Sequence, residues 1–135
     1  MVADYVRERG ISPEQVLCSP ARRTLETLEG VAPAGERLIE PELYGASAAE
    51  IVERLRRVPE DVGSVMLIGH NPAMQILVLR LVDVNGPQTS GADLAEVQRK
   101  FPTGALATLS LRCGWSELGR GCAQLISFVR PKALR

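Results

Sequence analysis

One histidine, two lysines and an aromatic content of 4% are all that this chain of 135 residues and 14.6 kDa has of those residue types. A single histidine without clustered carboxylates or thiols cannot build the ligand shell of a metal, so no metal and no other cofactor is expected. Sixteen basic residues against sixteen acidic ones leave no net charge. Nothing therefore draws the whole molecule to nucleic acid or to an anionic membrane, and any anion site must be local. No stretch reaches the ~18 apolar residues of a membrane span, and the N-terminus lacks the apolar core of a signal peptide. Three cysteines, Cys18, Cys113 and Cys122, are an odd, sparse set without metal spacing. They read as reduced thiols of a cytoplasmic protein rather than as a disulfide frame.

What is present is the composition of a folding domain, 45% hydrophobic and 24% charged, of a length that makes one domain over 1–135. Val2, Tyr5 and Val6 have helical spacing ahead of Gly10, so the chain begins inside a helix. Gln15-Val16-Leu17-Cys18 reads as a strand, and Ser19-Pro20 as the N-cap and first residue of a helix with Ala21, Leu25, Leu28 and Ala32 on its inner face. Arg37-Leu38-Ile39 reads as a short strand. Ser47 and Glu50 form a capping box for a helix that turns Ile51, Val52, Leu55 and Val58 inward and pairs Glu50 with Arg54 and Glu53 with Arg57 on its wet side.

Residues 64–68 form an apolar run typical of a parallel strand buried on both faces. Gly69-His70 ends it, Asn71 caps the next helix, and Pro72 starts it. Met74, Ile76, Leu77, Val78, Leu79, Leu81 and Val82 make that helix apolar nearly all round. A short amphipathic helix over 92–100 and two strands over 105–111 and 122–129 complete the pattern. Strands alternating with helices predict an α/β fold: a three-layer sandwich with a mostly parallel central sheet, helices on both faces and a C-terminal hairpin.

Ligands in such sheets bind at the carboxyl ends of the strands. Two strand ends here carry one device, a polar residue and then a proline opening a helix: Ser19-Pro20 and Asn71-Pro72. Each directs helix N–H groups toward that edge, where an oxyanion is favoured. Arg22 and Arg23 fall in the first helical turn, unfavourable against the dipole unless a negative group sits nearby. From the residues alone they are equally two solvated arginines, and His70 reads first as a core histidine bonded to backbone. A cysteine phosphatase is excluded. Its loop needs an arginine six positions after the nucleophile, and position 24 is Thr24.

The ordered set Cys18-Ser19-Pro20-Ala21-Arg22-Arg23-Thr24-Leu25-Glu26-Thr27, Pro41-Glu42-Leu43-Tyr44, Leu67-Ile68-Gly69-His70-Asn71-Pro72 and Phe101-Pro102-Thr103-Gly104-Ala105 resembles the histidine phosphatase superfamily, which is phosphoglycerate mutase-like. Within it the likeness is to the small SixA-type phosphohistidine phosphatases, extending to Trp115-Ser116-Glu117-Leu118 and Arg130-Pro131-Lys132. The resemblance implies a hydrolase acting on a phosphohistidine protein or a small phosphoester through a phosphohistidine intermediate. It implies that Arg23 and His70 bind the phosphoryl group and stabilise its shifting charge, that Ser19 and Asn71 support them, and that Glu42 stands where many members keep a general acid.

The family's nucleophile lies in an arginine-histidine-glycine motif ending a first strand. This sequence has no arginine-histidine pair, and its one histidine already matches the second motif. The expectation is therefore an N-terminally truncated domain that lacks the first strand and its covalent catalyst and is inactive as given. The resemblance implies that the missing strand belongs beside the one ending at His70, so that its absence would expose ladder groups through which copies could associate. Two other readings stay open: a non-catalytic phosphate-binding or regulatory pseudophosphatase module, and a plain interaction domain.

Overall fold

In the computed structural model, residues 2–131 are described, the side chains of 2 and 3 excepted. The expected helix start at residue 1 and Lys132 of the last motif lie outside them. The elements run α1 (Val2–Glu8), β1 (Gln15–Cys18), α2 (Arg22–Val31), β2 (Glu36–Ile39), a 3-10 turn (Pro41–Leu43), α3 (Ala48–Leu55), β3 (Val65–Ile68), α4 (Ala73–Leu81), α5 (Gly91–Arg99), β4 (Leu106–Leu111), a second 3-10 turn (Trp115–Glu117) and β5 (Ala123–Val129).

Side-chain alternation along β1 sets the layers. Val16 and Cys18 pack with Leu28 of α2 and Ile68 of β3, and α1 contacts α2. Leu17 points the other way, into a core with Ile51, Val52 and Leu55 of α3 and Leu77 and Leu81 of α4. One strand with two apolar faces thus holds helices on both sides, as its length and composition dictate. A further core joins Val78 of α4, Leu94 and Val97 of α5, and Leu125 and Phe128 of β5.

The strands fall into two ladders. β1 is central between β2 and β3, all parallel, with Cys18 opposite Ile39 and Ile68. β4 and β5 form a second, antiparallel ladder, the expected C-terminal hairpin. Among the described residues no strand bonds to the outer edge of β3. Val65, Met66 and Leu67 are consequently only half-buried, not enclosed on both faces. Yet Val65 and Leu67 of β3 and Leu109 and Leu111 of β4 pack against one core, so the two ladders share a hydrophobic layer without a backbone bond between them.

Local corrections have local causes. α2 is capped by Ala21, not Ser19, because the Ser19 hydroxyl is turned to His70 while also accepting from the Ala21 N–H. α2 buries Thr24, Leu28 and Val31, and Leu25 is 38% exposed; the Thr24 hydroxyl, donating to backbone oxygens of Ser19 or Ala21, rotates the inner face by one residue. α4 starts at Ala73 behind the Pro72 cap, since the Asn71 side chain donates to the Phe101 carbonyl instead. It is not apolar-buried all round, because Ile76 is 46% exposed. The Ser47–Glu50 capping box forms, but Arg54 pairs with Glu40 and Arg57 with Glu42, and Arg56 with Glu53. Cys113 and Cys122 are joined by a disulfide, correcting the expectation of three free thiols. They stand across the ends of β4 and β5, where the Arg112 N–H bonds the Cys122 carbonyl, and their Cα atoms are 6.1 Å apart. The pairing removes the cysteine argument for a cytoplasmic location.

Candidate functional site

β1 and β3 are parallel neighbours that end in register, so Ser19 and His70 emerge side by side at one edge of the sheet. The Ser19 N–H bonds the Ile68 carbonyl, and Ser19 Oγ lies 3.1 Å from His70 Nε2. The serine is fully buried. Its hydroxyl can accept from an imidazolium or donate to a neutral ring, and so holds the ring in either state. The Met74 N–H bonds the His70 carbonyl, tying the same residue into the start of α4.

The His70 ring opens on a shallow cleft of about 270 Å³ walled by Ala21, Tyr44, Gly45 and His70. Tyr44 and the imidazole form a T-shaped pair, ring centres 6.5 Å apart and planes at 79°. It is 69% exposed. Gly45 turns the chain at a φ of 65°, a conformation that costs glycine nothing, and this lets the loop fold back toward the cleft. Tyr44 belongs to a quoted motif but was not singled out as a site residue; its signal is an aromatic followed by glycine at a loop apex in a chain poor in aromatics.

The other expected residues are placed as follows. Arg23 is exposed in the first turn of α2, two residues beyond the cleft wall at Ala21, and is not itself a wall. Neither it nor Arg22 makes a side-chain hydrogen bond or ion pair among the described residues. That turn holds no acidic residue, and Ala21 offers no side-chain cap, so the helix end keeps its positive potential. Asn71 reaches the Phe101 carbonyl, which brings the Phe101-Pro102-Thr103-Gly104 segment against the loop carrying His70. Phe101 is held from behind by Phe128, ring centres 5.2 Å apart. Glu42 is engaged by Arg57 and by Arg54 and does not wall the cleft. Cys18 is buried beneath the loop, and burial pushes its thiol up, against a smaller lowering by Thr24. It is no thiolate nucleophile. Among the described residues no cluster of histidine, cysteine or carboxylate side chains could hold a metal, and no helix is long and apolar enough to cross a membrane.

The site thus joins a buried serine, the one histidine and a helix end without a side-chain cap. The uncharacterised protein Rv1276c of Mycobacterium tuberculosis is 31% identical over 132 residues, 98% of this chain and 82% of its own length. The chain belongs to its family. The uncharacterised protein ML1117 of Mycobacterium leprae is 27% identical over 132 residues, 98% of this chain and 80% of its own length. No model of a known protein family matches. Among solved structures, a candidate phosphohistidine phosphatase SixA from Nakamurella multipartitia superposes with a TM-score of 0.83 at 28% identity, covering 96% of this chain and 77% of that one. The protein histidine phosphatase SixA in complex with tungstate gives 0.73 at 25% identity, over 98% of this chain and 78% of that one. The fold is thus the phosphoglycerate mutase-like fold of these phosphatases, and the structural neighbours are phosphohistidine phosphatases.

Proposed function

We propose that this chain is the phosphate-binding body of a histidine-type phosphatase that removes phosphate from a phosphohistidine protein or a small phosphoester. The observation that carries the reading is the Ser19–His70 hydrogen bond at two adjacent strand ends, in a fold whose neighbours include a histidine phosphatase holding tungstate, a tetrahedral oxyanion like phosphate. In this reading His70 and Arg23 hold the phosphoryl oxygens with the N–H groups of α2, stabilising charge as it moves. Ser19 fixes the imidazole, and Asn71 fixes the loop on which it stands. Glu42 would serve as a proton donor only after leaving Arg57 and Arg54.

The attacking imidazole of a phosphohistidine intermediate is a second histidine, and this sequence contains one. We place that nucleophile on a strand outside the 135 residues, seated against the open edge of β3; the split between the β1–β3 and β4–β5 ladders supports the placement. The test is hydrolysis of p-nitrophenyl phosphate. The 135-residue chain is expected to be inert, and a chain extended upstream by an arginine-histidine segment is expected to turn over. In the extended chain, Arg23→Ala or His70→Ala should lower the rate by ~10²–10³. Inert extended protein with unaltered variants overturns the enzyme reading.

The single histidine favours a second reading, a non-catalytic phosphate-binding module. Vanadate binding by the chain, with no arginine-histidine segment encoded upstream, distinguishes it.

A further inference from the structure

α4 carries a second cleft along its middle and C-terminal part. Its nine residues span about 13 Å from the turn after His70. Ile76, Leu79 and Arg80 on that helix, with Arg120 from the β4–β5 connection, line an open depression of about 230 Å³. The Gly121 N–H donates to the Arg80 carbonyl at 3.1 Å, so the two arginine-bearing segments are tied together. Gly121 has a φ of 73°, which keeps that turn tight at no steric cost.

The distribution of charge partners singles this cleft out. Arg54 is paired with Glu40, Arg56 with Glu53, Arg112 with Asp83, and both Arg99 and Arg130 with Glu96; Arg9 stacks on Tyr5. Among the described residues only Arg22, Arg23, Arg80 and Arg120 have a guanidinium with no hydrogen bond, ion pair or ring beneath it. The first two belong to the helix end already described. The second two border one depression, beside an isoleucine that is 46% exposed.

We propose that this cleft docks an acidic segment of a partner protein, a carboxylate side chain meeting Arg80 and Arg120 while a neighbouring aliphatic side chain covers Ile76 and Leu79. The planar guanidinium fork matches a carboxylate. A nucleic-acid backbone would need a row of free cations, and nearby Arg112 is neutralised by Asp83. The proposal does not rest on the phosphatase reading. It places a partner along α4, at a cleft that shares no lining residue with the His70 cleft.

The test is backbone amide NMR of the chain titrated with a short capped peptide of alternating Glu and Leu, its Gln–Leu counterpart, and inorganic phosphate. The amides of Ile76, Arg80 and Arg120 are expected to shift and saturate with the Glu–Leu peptide, at least tenfold more weakly with the Gln–Leu peptide, and less at high ionic strength. Arg80→Ala with Arg120→Ala should lower the affinity at least tenfold in a protein whose other resonances stay in place. Arg120→Ala alone, on an exposed loop, should lower it several-fold. Equal binding of both peptides, shifts confined to α2, or unaltered affinity in the variants overturns the proposal. So does saturation of the cleft by phosphate without any peptide response, which would make it a free-anion site.

Discussion

Ser19 Oγ lies 3.1 Å from His70 Nε2, and the two residues follow the last bonded positions of adjacent parallel strands. This bond joins two segments 51 residues apart, so it reports on the registry of β1 with β3 as well as on the orientation of the imidazole. Ser19→Ala removes a fully buried hydroxyl that serves both His70 and the Ala21 N–H. The expected cost is ~1–3 kcal/mol in denaturant unfolding, together with weaker vanadate binding. Unchanged stability and binding would show that the serine positions nothing.

Tyr44 stands beside His70 and is largely open to solvent. Stacking of a second ring on it is worth ~0.5–1.5 kcal/mol. Phenylphosphonate is therefore expected to bind a few-fold to about tenfold more tightly than methylphosphonate by calorimetry. Tyr44→Ala should erase the ratio, and Tyr44→Phe should keep it. Inorganic phosphate, which has no ring, should be indifferent to both.

Cys113 and Cys122 close a loop with a sequence separation of 9. Loop-closure entropy predicts ~2–3 kcal/mol of stability lost on reduction, measured as a fall in the unfolding midpoint. In the native protein no thiol should react quickly, because Cys18 is buried. Unfolding without reductant should reveal one thiol, and unfolding with it three. Two further thiols without reductant would mean that the pair is not joined.

Glu60 receives the Ser116 hydroxyl and the Trp115 and Ser116 N–H groups, which hold its carboxyl below the ordinary 4.5. A carboxylate whose folded pKa is depressed adds stability that is full above the unfolded value and is lost as pH falls through the folded one. The fluorescence of Trp115, the one tryptophan, reads this directly. Stability should fall as pH drops below 4.5, and Glu60→Gln should flatten that part of the profile. An identical acid profile in the variant would remove Glu60 from the account.

Glu42→Gln breaks pairs with Arg57 and Arg54, while Arg54 keeps Glu40. At this half-exposed position the expected loss is under ~1 kcal/mol, with oxyanion binding unaltered. A tenfold loss of turnover in an extended, active chain would instead give Glu42 the proton-donor role.

Those elements that obey local rules were legible in the sequence. β1, β3 and the Ser47–Glu50 box follow from apolar runs and capping chemistry, and the two strand ends followed by proline located the His70 cleft. Features that depend on distant partners were not. Arg54 pairs with Glu40 at a strand end rather than with Glu50 on its own helix, whose carboxylate accepts from the Ser47 N–H instead. The Ser19 side chain preferred a histidine 51 residues away to its expected cap. The inner face of α2 was misassigned because the Thr24 hydroxyl, counted as polar, is satisfied by backbone and so can be buried. The disulfide was missed because three cysteines without a motif give no pairing signal until a hairpin opposes two of them.

The half-covered flank of β3 leaves a measurable signature in solvent exchange. The Gln15 N–H bonds the Ser64 carbonyl and the Ser19 N–H bonds the Ile68 carbonyl, and in a parallel ladder this phase aims the Met66 and Ile68 amides at β1. The Val65 and Leu67 amides then point away from it. Deuterium should enter those two positions fast while their neighbours wait for larger openings, an alternation that any strand laid along that flank would abolish.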